Sequence, residues 1–229
     1  MKEVIVTGAS KGIGKATTLK LISEGYKVIG ISRTHTVENK NYIGVSQNLS
    51  DLEGLIICID NILKKYKNLF ALVSNAGEGI FDNLENLSDD QIKSYFNLNL
   101  IAHIIIAKKI ITLLKKKKKG HLIFIGSEAA IIGGVKGTLY SAAKHGLFGF
   151  VKSLRLECNK SKVKVSIINA GMVRSNFFKN LNFKPGKKSE NAIKVLDMAS
   201  LVTFLLGTSK NINISDVNID PIKKVIDFD

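Results

Sequence analysis

Cysteine is nearly absent from this chain. Among 229 residues only Cys58 and Cys158 occur, far apart and each inside a hydrophobic-periodic segment. That excludes a disulfide scaffold and any Cys-based metal spacing, and it fits a reducing compartment. Arginine is as scarce. Arg33, Arg155 and Arg174 are the only ones, although Lys and Arg together outnumber Asp and Glu 34 to 19 and leave a formal net charge of +15. Base readout and bidentate phosphate clamps favour Arg. A basic surface made almost wholly of Lys, in a chain also rich in Asn and Ile, reads as the coding bias of an AT-rich genome rather than as a nucleic-acid interface. No leader is read either, since Met1-Lys2-Glu3 runs straight into an apolar stretch. The most apolar helical stretch, near Leu98 to Leu114, carries His103, Lys108 and Lys109 and reads as too short and too charged to cross a bilayer. Apart from Lys115 to Lys119 there is no low-complexity tract, and there is no linker or repeat. The expectation is one domain, 1–229, cytoplasmic, with no nucleic-acid partner, no membrane and no metal.

What is present is ordinary globular composition, 45% hydrophobic and 23% charged. The pattern alternates strand and helix. Glu3 to Thr7 is a short β-branched run, glycines follow at Gly8, Gly12 and Gly14, helical periodicity runs to Glu24, and Lys27 to Ile31 is a second strand. That is one βαβ unit. Further strands are read at Tyr42 to Val45, Leu69 to Val73, Leu122 to Ile125, Val163 to Ile168 and Ile212 to Ile219. Helices are read from the Ser50-Asp51-Leu52-Glu53 capping box toward Lys67, and from the Ser88-Asp89-Asp90-Gln91 box to Lys119 with Gly120 as its stop. Two more are read over about Thr138 to Asn159 and Asn191 to Leu206. Residues 171–190 read as a loop. Such alternation specifies an α/β, Rossmann-type doubly wound fold: a mostly parallel seven-stranded sheet with helices on both faces. Ligands in these folds bind beyond the carboxyl ends of the strands.

The first strand–helix turn, Thr7-Gly8-Ala9-Ser10-Lys11-Gly12-Ile13-Gly14, suits that position. Its glycines permit a tight turn and close approach of backbone to a diphosphate, and the helix N-terminus offers free N–H groups. A P-loop would need Gly at 9 and Ser or Thr at 16, where this chain has Ala9 and Ala16.

The glycine spacing resembles that of the short-chain dehydrogenase/reductase family, and the resemblance continues in register from about Val4 to Pro221. Asn75-Ala76-Gly77 is similar to the family's N-A-G motif. Asn97-Leu98-Asn99-Leu100 is similar to its N-x-N-L segment, with Asn99 in the catalytic position. Ser127 precedes Tyr140 and Lys144, which form Y-x-x-x-K, and Asn169 to Ser175 stands at the place of the family's P-G-x-x-x-T. The resemblance implies that Tyr140 exchanges a proton with a substrate carbonyl or alcohol oxygen and that Ser127 hydrogen-bonds that oxygen. It implies that Lys144 holds the nicotinamide ribose and that Asn99 supports a water-linked proton route. Tyr140 and Lys144 share one helix face, and a nearby ammonium is expected to lower the phenol pKa.

An acid ending the second strand would select NAD; here Ser32-Arg33 stands there, and a guanidinium suits a 2′-phosphate. Lys11 resembles the second basic residue of NADP-preferring members. The cofactor expected is NADP(H), held by Gly8, Ser10, Lys11, Gly12, Ile13, Gly14, Ser32 and Arg33. Asn48 and Leu49 follow the third strand, and Asn75, Ala76, Gly77, Tyr140, Lys144, Gly171, Val173 and Ser175 complete the set. The resemblance also implies a homodimer or homotetramer built through the helices near 88–116 and 138–159. Three departures stand out. Ala170 replaces the family proline, which suggests a more mobile loop, Ser175 replaces Thr, and Ser74 stands where a second Asn is common. The C-terminal string Asn213 to Pro221 resembles the sepiapterin-reductase-like and 3-hydroxy-acid dehydrogenase branch. The reading is an NADPH-dependent carbonyl reductase. Its rivals are a 3-oxoacyl-carrier-protein reductase and an NADP-binding regulator without turnover. Substrate choice is expected to lie in a loop at about 172–196.

Overall fold

The computed structural model describes residues 1–228. Seven parallel strands form the central sheet: β1 (Glu3–Thr7), β2 (Lys27–Ser32), β3 (Tyr42–Ser46), β4 (Leu69–Ser74), β5 (Gly120–Ile125), β6 (Val163–Ala170) and, late in the chain, β10 (Asp216–Ile219). Their order is β10-β6-β5-β4-β1-β2-β3, so the winding reverses between β1 and β4. Successive side chains on a strand point to opposite faces, and both faces here are apolar. Ile5, Ile29, Leu72, Phe124 and Ile167 enter the core on one side. Val4, Val6, Val28, Val73 and Ile123 enter the core on the other. Helices α2 (Leu52–Lys65), α4 (Ala102–Lys117) and α5 (Thr138–Cys158) contribute to the first core, and α1 (Gly12–Ser23) and α6 (Val195–Gly207) to the second. Each fully buried aliphatic side chain of this kind contributes roughly 1.5–3 kcal/mol.

Several boundaries differ from expectation for visible reasons. Asn48 Oδ1 accepts the N–H of Ser50 (3.1 Å), which keeps Ser50 in a turn; Asp51 caps α2 instead, accepting from Gly54 N–H (3.0 Å). The Ser88–Gln91 box forms as expected on α3 (Asp89–Phe96). The helix that follows Ser88 is continuous from Asp89 to Lys117 but passes through a π-turn at Asn97–Ile101. At 29 residues it is long and apolar enough to cross a membrane by length and composition, contrary to expectation. Its apolarity has a local cause: Ile106, Ala107, Ile110 and Leu114 are buried in the first core. Lys118, at φ 49°, takes the left-handed cap expected at Gly120, and Gly120 opens β5. Lys117 Nζ reaches the carbonyls of Lys67 (2.6 Å) and Leu69 (3.0 Å), so part of the lysine run is an anchor.

β6 runs two residues past the expected Ile168 and takes Ala170 into the ladder opposite Ile219. Where a looser loop was expected from the missing proline, strand pairing holds the backbone. β10 starts later than expected because the Asn213 amide occupies the ladder position, accepting from Val165 N–H (3.0 Å) and donating to Val165 O (3.1 Å). The expected loop 171–190 is partly regular. β7 (Val173–Arg174) pairs with β9 (Ile193–Lys194), and β8 (Phe183–Pro185) pairs antiparallel with a strand not foreseen, β11 (Ile226–Phe228). α6 accordingly begins at Val195 rather than Asn191.

Candidate active site

The site begins where β1 ends, at the point where the strand order reverses. Thr7 Oγ1 accepts the backbone N–H groups of Asn75 (2.9 Å) and Ala76 (3.0 Å), and the Asn75 amide donates to Thr7 O (2.9 Å). The loops after β1 and β4 are thereby tied to each other. Gly8 has φ +68°, and a Cβ at Gly14 would lie 2.1 Å from the Gly8 carbonyl oxygen. Only glycine permits this turn to draw in against α1. α1 itself has no side-chain cap and no acidic residue in its first turn, so its N–H groups and its positive dipole end stay open to an anion. This is a cradle of free backbone donors, and it fits a dinucleotide diphosphate.

One cleft of about 750 Å³ runs past this turn. At one end it is lined by Lys11, Ser32, Arg33, Asn48 and Leu49, with Arg33 and Lys11 exposed. Gly8, Ser10, Gly12 and Ile13 line the middle, facing Asn75, Ala76 and Gly77. At the other end stand Asn99, Tyr140 and Lys144, with Gly171, Val173 and Ser175 across from them. Of the residues expected from sequence, only Gly14 and Ser127 do not line the cleft. Gly14 packs behind the turn, and Ser127 sits near Tyr140, where its hydroxyl favours the ionised phenol.

The catalytic-type side chains are held from different elements. Asn99 is buried inside the π-turn. Its amide donates to Tyr95 O (3.1 Å), and its carbonyl oxygen accepts the N–H of Glu78 (3.1 Å) on the loop after β4. Its neighbour Asn97 instead reaches Ser50 O (3.4 Å). Ser127 follows β5 and accepts the N–H of Ala129 (3.2 Å). Lys144 is buried on α5, and its Nζ donates to Ile125 O (3.2 Å) and lies 5.8 Å from the Tyr140 ring centroid. Burial pulls the Lys144 ammonium down to about 8.

The expectation that Lys144 lowers the Tyr140 pKa is corrected here. Burial raises the phenol above its ordinary value, the hydrogen bond from Ser127 lowers it, and the Glu128 carboxylate raises it again. The ammonium points at a carbonyl and the ring, so burial dominates. Burial thus holds the Tyr140 phenol toward its protonated form.

Behind the cleft, His103 is buried with its Nδ1 2.7 Å from Ser74 Oγ, and burial followed by the Lys144 charge holds its pKa down to about 3. Sequence reasoning missed Gln47, Glu78, Phe177 and Phe178 as cleft-lining residues. The Phe177-Phe178 pair was a signal, an apolar doublet inside the loop expected at 171–190.

Comparison with known proteins settles the family. A model of the short chain dehydrogenases matches residues 2–185. The chain belongs to the short chain dehydrogenase family. It is an oxidoreductase with the fold expected of it. Among relatives of this short chain dehydrogenase, 3-oxoacyl-[acyl-carrier-protein] reductase FabG of Buchnera aphidicola subsp. Acyrthosiphon pisum is 33% identical, over 91% of this chain and 94% of that protein. The probable short-chain type dehydrogenase/reductase VdlC of Helicobacter pylori is 29% identical, over 93% and 80%. Of solved structures, an alcohol dehydrogenase from the archaeon Thermococcus sibiricus complexed with 5-hydroxy-NADP superposes with TM-score 0.86 at 24% identity, covering 98% of this chain and 99% of that one. A metagenomic short-chain oxidoreductase in complex with NADP gives TM-score 0.83 at 27% identity, covering 96% and 97%. Short chain dehydrogenases act on small-molecule substrates and typically oligomerise.

Proposed function

We propose that this short chain dehydrogenase is a cytoplasmic, NADPH-dependent carbonyl reductase, a single domain that binds both cofactor and substrate. One observation carries the reading: a single cleft runs from a basic pocket at Lys11 and Arg33, past the glycine turn, to Tyr140 and Lys144. The two cations suit a 2′-phosphate, and no acid stands at the end of β2 to prefer a ribose hydroxyl. The α1 N-terminus would hold the diphosphate, and Lys144 the nicotinamide ribose. When bound, the cofactor supplies the hydride that reduces the carbonyl carbon.

The chain's own residues do the rest. Tyr140 gives its phenolic proton to the carbonyl oxygen, and its raised pKa keeps that proton in place at neutral pH. Ser127 donates a hydrogen bond to the same oxygen and polarises it. Asn99 holds the π-turn against Glu78 and supports proton return toward Lys144. The assembly proposed is a homodimer or homotetramer through α3, α4 and α5, and a single monomeric species in sedimentation would remove that part.

A second reading, reduction of 3-oxoacyl groups on a carrier protein, draws support from the FabG relatives. NADPH oxidation against a carbonyl panel that includes a carrier-linked 3-oxoacyl group separates the two, with Tyr140→Phe as control. Tight NADPH binding with no turnover on any member would overturn both in favour of a regulator.

A further inference from the structure

On the side of the cleft away from the Lys11–Arg33 pocket, Phe177 and Phe178 line the cavity, and a chain of further phenylalanines packs against them and against Tyr140. Phe81, from the loop after β4, lies 5.2 Å from the Tyr140 ring, and Phe177, from the turn after β7, lies 5.8 Å from it. Phe183 of β8 packs edge-on to Phe81 at 4.9 Å, and Phe178 contacts both Phe177 (5.2 Å) and Phe183 (5.8 Å). Phe228 of β11 backs Phe183 at 6.4 Å and is its direct strand partner. Thus five of the chain's eleven phenylalanines gather round one tyrosine. Gly79 makes room for them: a Cβ there would lie 2.6 Å from Phe177 and 2.7 Å from Phe81.

Apolar surface continues outward. Ile131, Ile132 and Val135 are exposed on the segment that leaves Ser127, and Ile222 and Phe228 are exposed on the C-terminal segment. The ion pair of Lys224 with Glu128 (2.7 Å) joins those two segments. The C-terminal segment also grips the loop beneath it. Gly186 N–H donates to Val225 O (2.9 Å), Lys223 N–H to Glu190 O (3.1 Å), and the Asn191 amide to Lys223 O (2.9 Å). Exposed apolar groups gathered at the mouth of a binding cleft mark what that cleft is built to take.

We infer that the substrate is a ketone or aldehyde whose carbonyl bears an aromatic or comparably flat apolar group, received by this phenylalanine wall. β11 and Lys224 hold the wall in position and are specificity-determining from outside the chemistry. The inference rests on Tyr140 as the proton donor. Flat rings gain here from offset and edge-on packing beyond the area they bury.

The test uses the full chain, NADPH and three substrates: a β-keto ester with a methyl group on the ketone, the same ester with phenyl, and an unbranched 3-oxoacyl thioester. The expected result is kcat/KM for the phenyl ester roughly tenfold or more above the other two, carried mostly by KM. Phe177→Ala and Phe183→Ala should remove most of that ratio. Phe228→Ala and Lys224→Ala should reduce it in part through KM for the phenyl ester, with KM for NADPH unmoved. Phe204→Ala, an exposed phenylalanine on α6, should leave the ratio as it is. Tyr140-dependent turnover with equal rates for methyl and phenyl, or a clear preference for the thioester, would overturn the inference while leaving the oxidoreductase in place. No turnover of any of the three would overturn the reading beneath it as well.

Discussion

The two halves of the cleft are built by different means. The basic half is framed by backbone, with strand ends, a glycine turn that leaves no room for a Cβ at Gly14 and the uncapped start of α1, and only Lys11 and Arg33 add charge from side chains. The aromatic half is made of side chains from segments far apart in the chain, gathered by β8 and β11. The first recognises what every turnover shares, and a covalent spacing of glycines suffices to specify it. The second recognises what distinguishes one substrate from another, and it is free to change residue by residue.

That division can be broken at several points. Gly14→Val should have the largest effect, since its side chain would start 2.1 Å from the Gly8 carbonyl oxygen and 2.6 Å from the Asn75 amide nitrogen. NADPH binding measured by fluorescence should be lost, and thermal unfolding should move down by many degrees. Tyr140→Phe comes next. Carbonyl reduction should fall about 10²–10⁴-fold while NADPH still binds, which separates chemistry from cofactor recognition. Arg33→Asp should raise KM for NADPH about tenfold or more and improve NADH, with the methyl-to-phenyl preference untouched. A preference that moved with Arg33 would mean that the halves are coupled.

Lys144 gives a prediction of opposite sign for activity and stability. Its folded pKa, about 8, lies below the ordinary lysine value of 10.5, so folding favours the neutral amine. Between about pH 8 and 10.5 the unfolded chain binds more protons there, and stability from this group rises with pH through that window. Below it the buried ammonium is a standing cost. Lys144→Met should therefore melt higher than the parent at pH 7, by a margin that shrinks toward pH 10, while turnover is lost. In the parent, turnover should decline as pH rises through about 8. The smallest effect is expected of Glu128→Gln. Removing that charge takes away one of the influences that raise the Tyr140 pKa, so it should lower the phenol pKa slightly and leave kcat/KM at pH 7 nearly unchanged.

What was legible in the sequence follows the same division. Local rules suffice for the parallel sheet, the glycine turn, the Ser88 cap and the helix pair Tyr140 and Lys144, because each is set by neighbours within a few residues. The cap expected at Ser50 moved to Asp51 because Asn48, two residues before Ser50, accepts its N–H and holds it in a turn. The π-turn at Asn97–Ile101, which aims Asn99 at Glu78, leaves no mark on hydrophobic periodicity. β11 is a partner of β8 some forty positions earlier, and no short-range signal pairs Phe228 with Phe183. The sign of the Tyr140 shift was misread because proximity of a charge was weighed and burial of both groups was not.

In a parallel sheet covered by helices, every helix ends on the side away from the strand ends that carry the cleft. Lys20 stands in the last turn of α1, Lys64 and Lys65 in that of α2, Lys115, Lys116 and Lys117 in that of α4, and Arg155 in that of α5. The molecule is thus a foot and a mouth, with cations at four of the helix ends on the foot. On an anionic support such as a cation-exchange bead, it would stand foot down, reactor side outward, without any engineered linker.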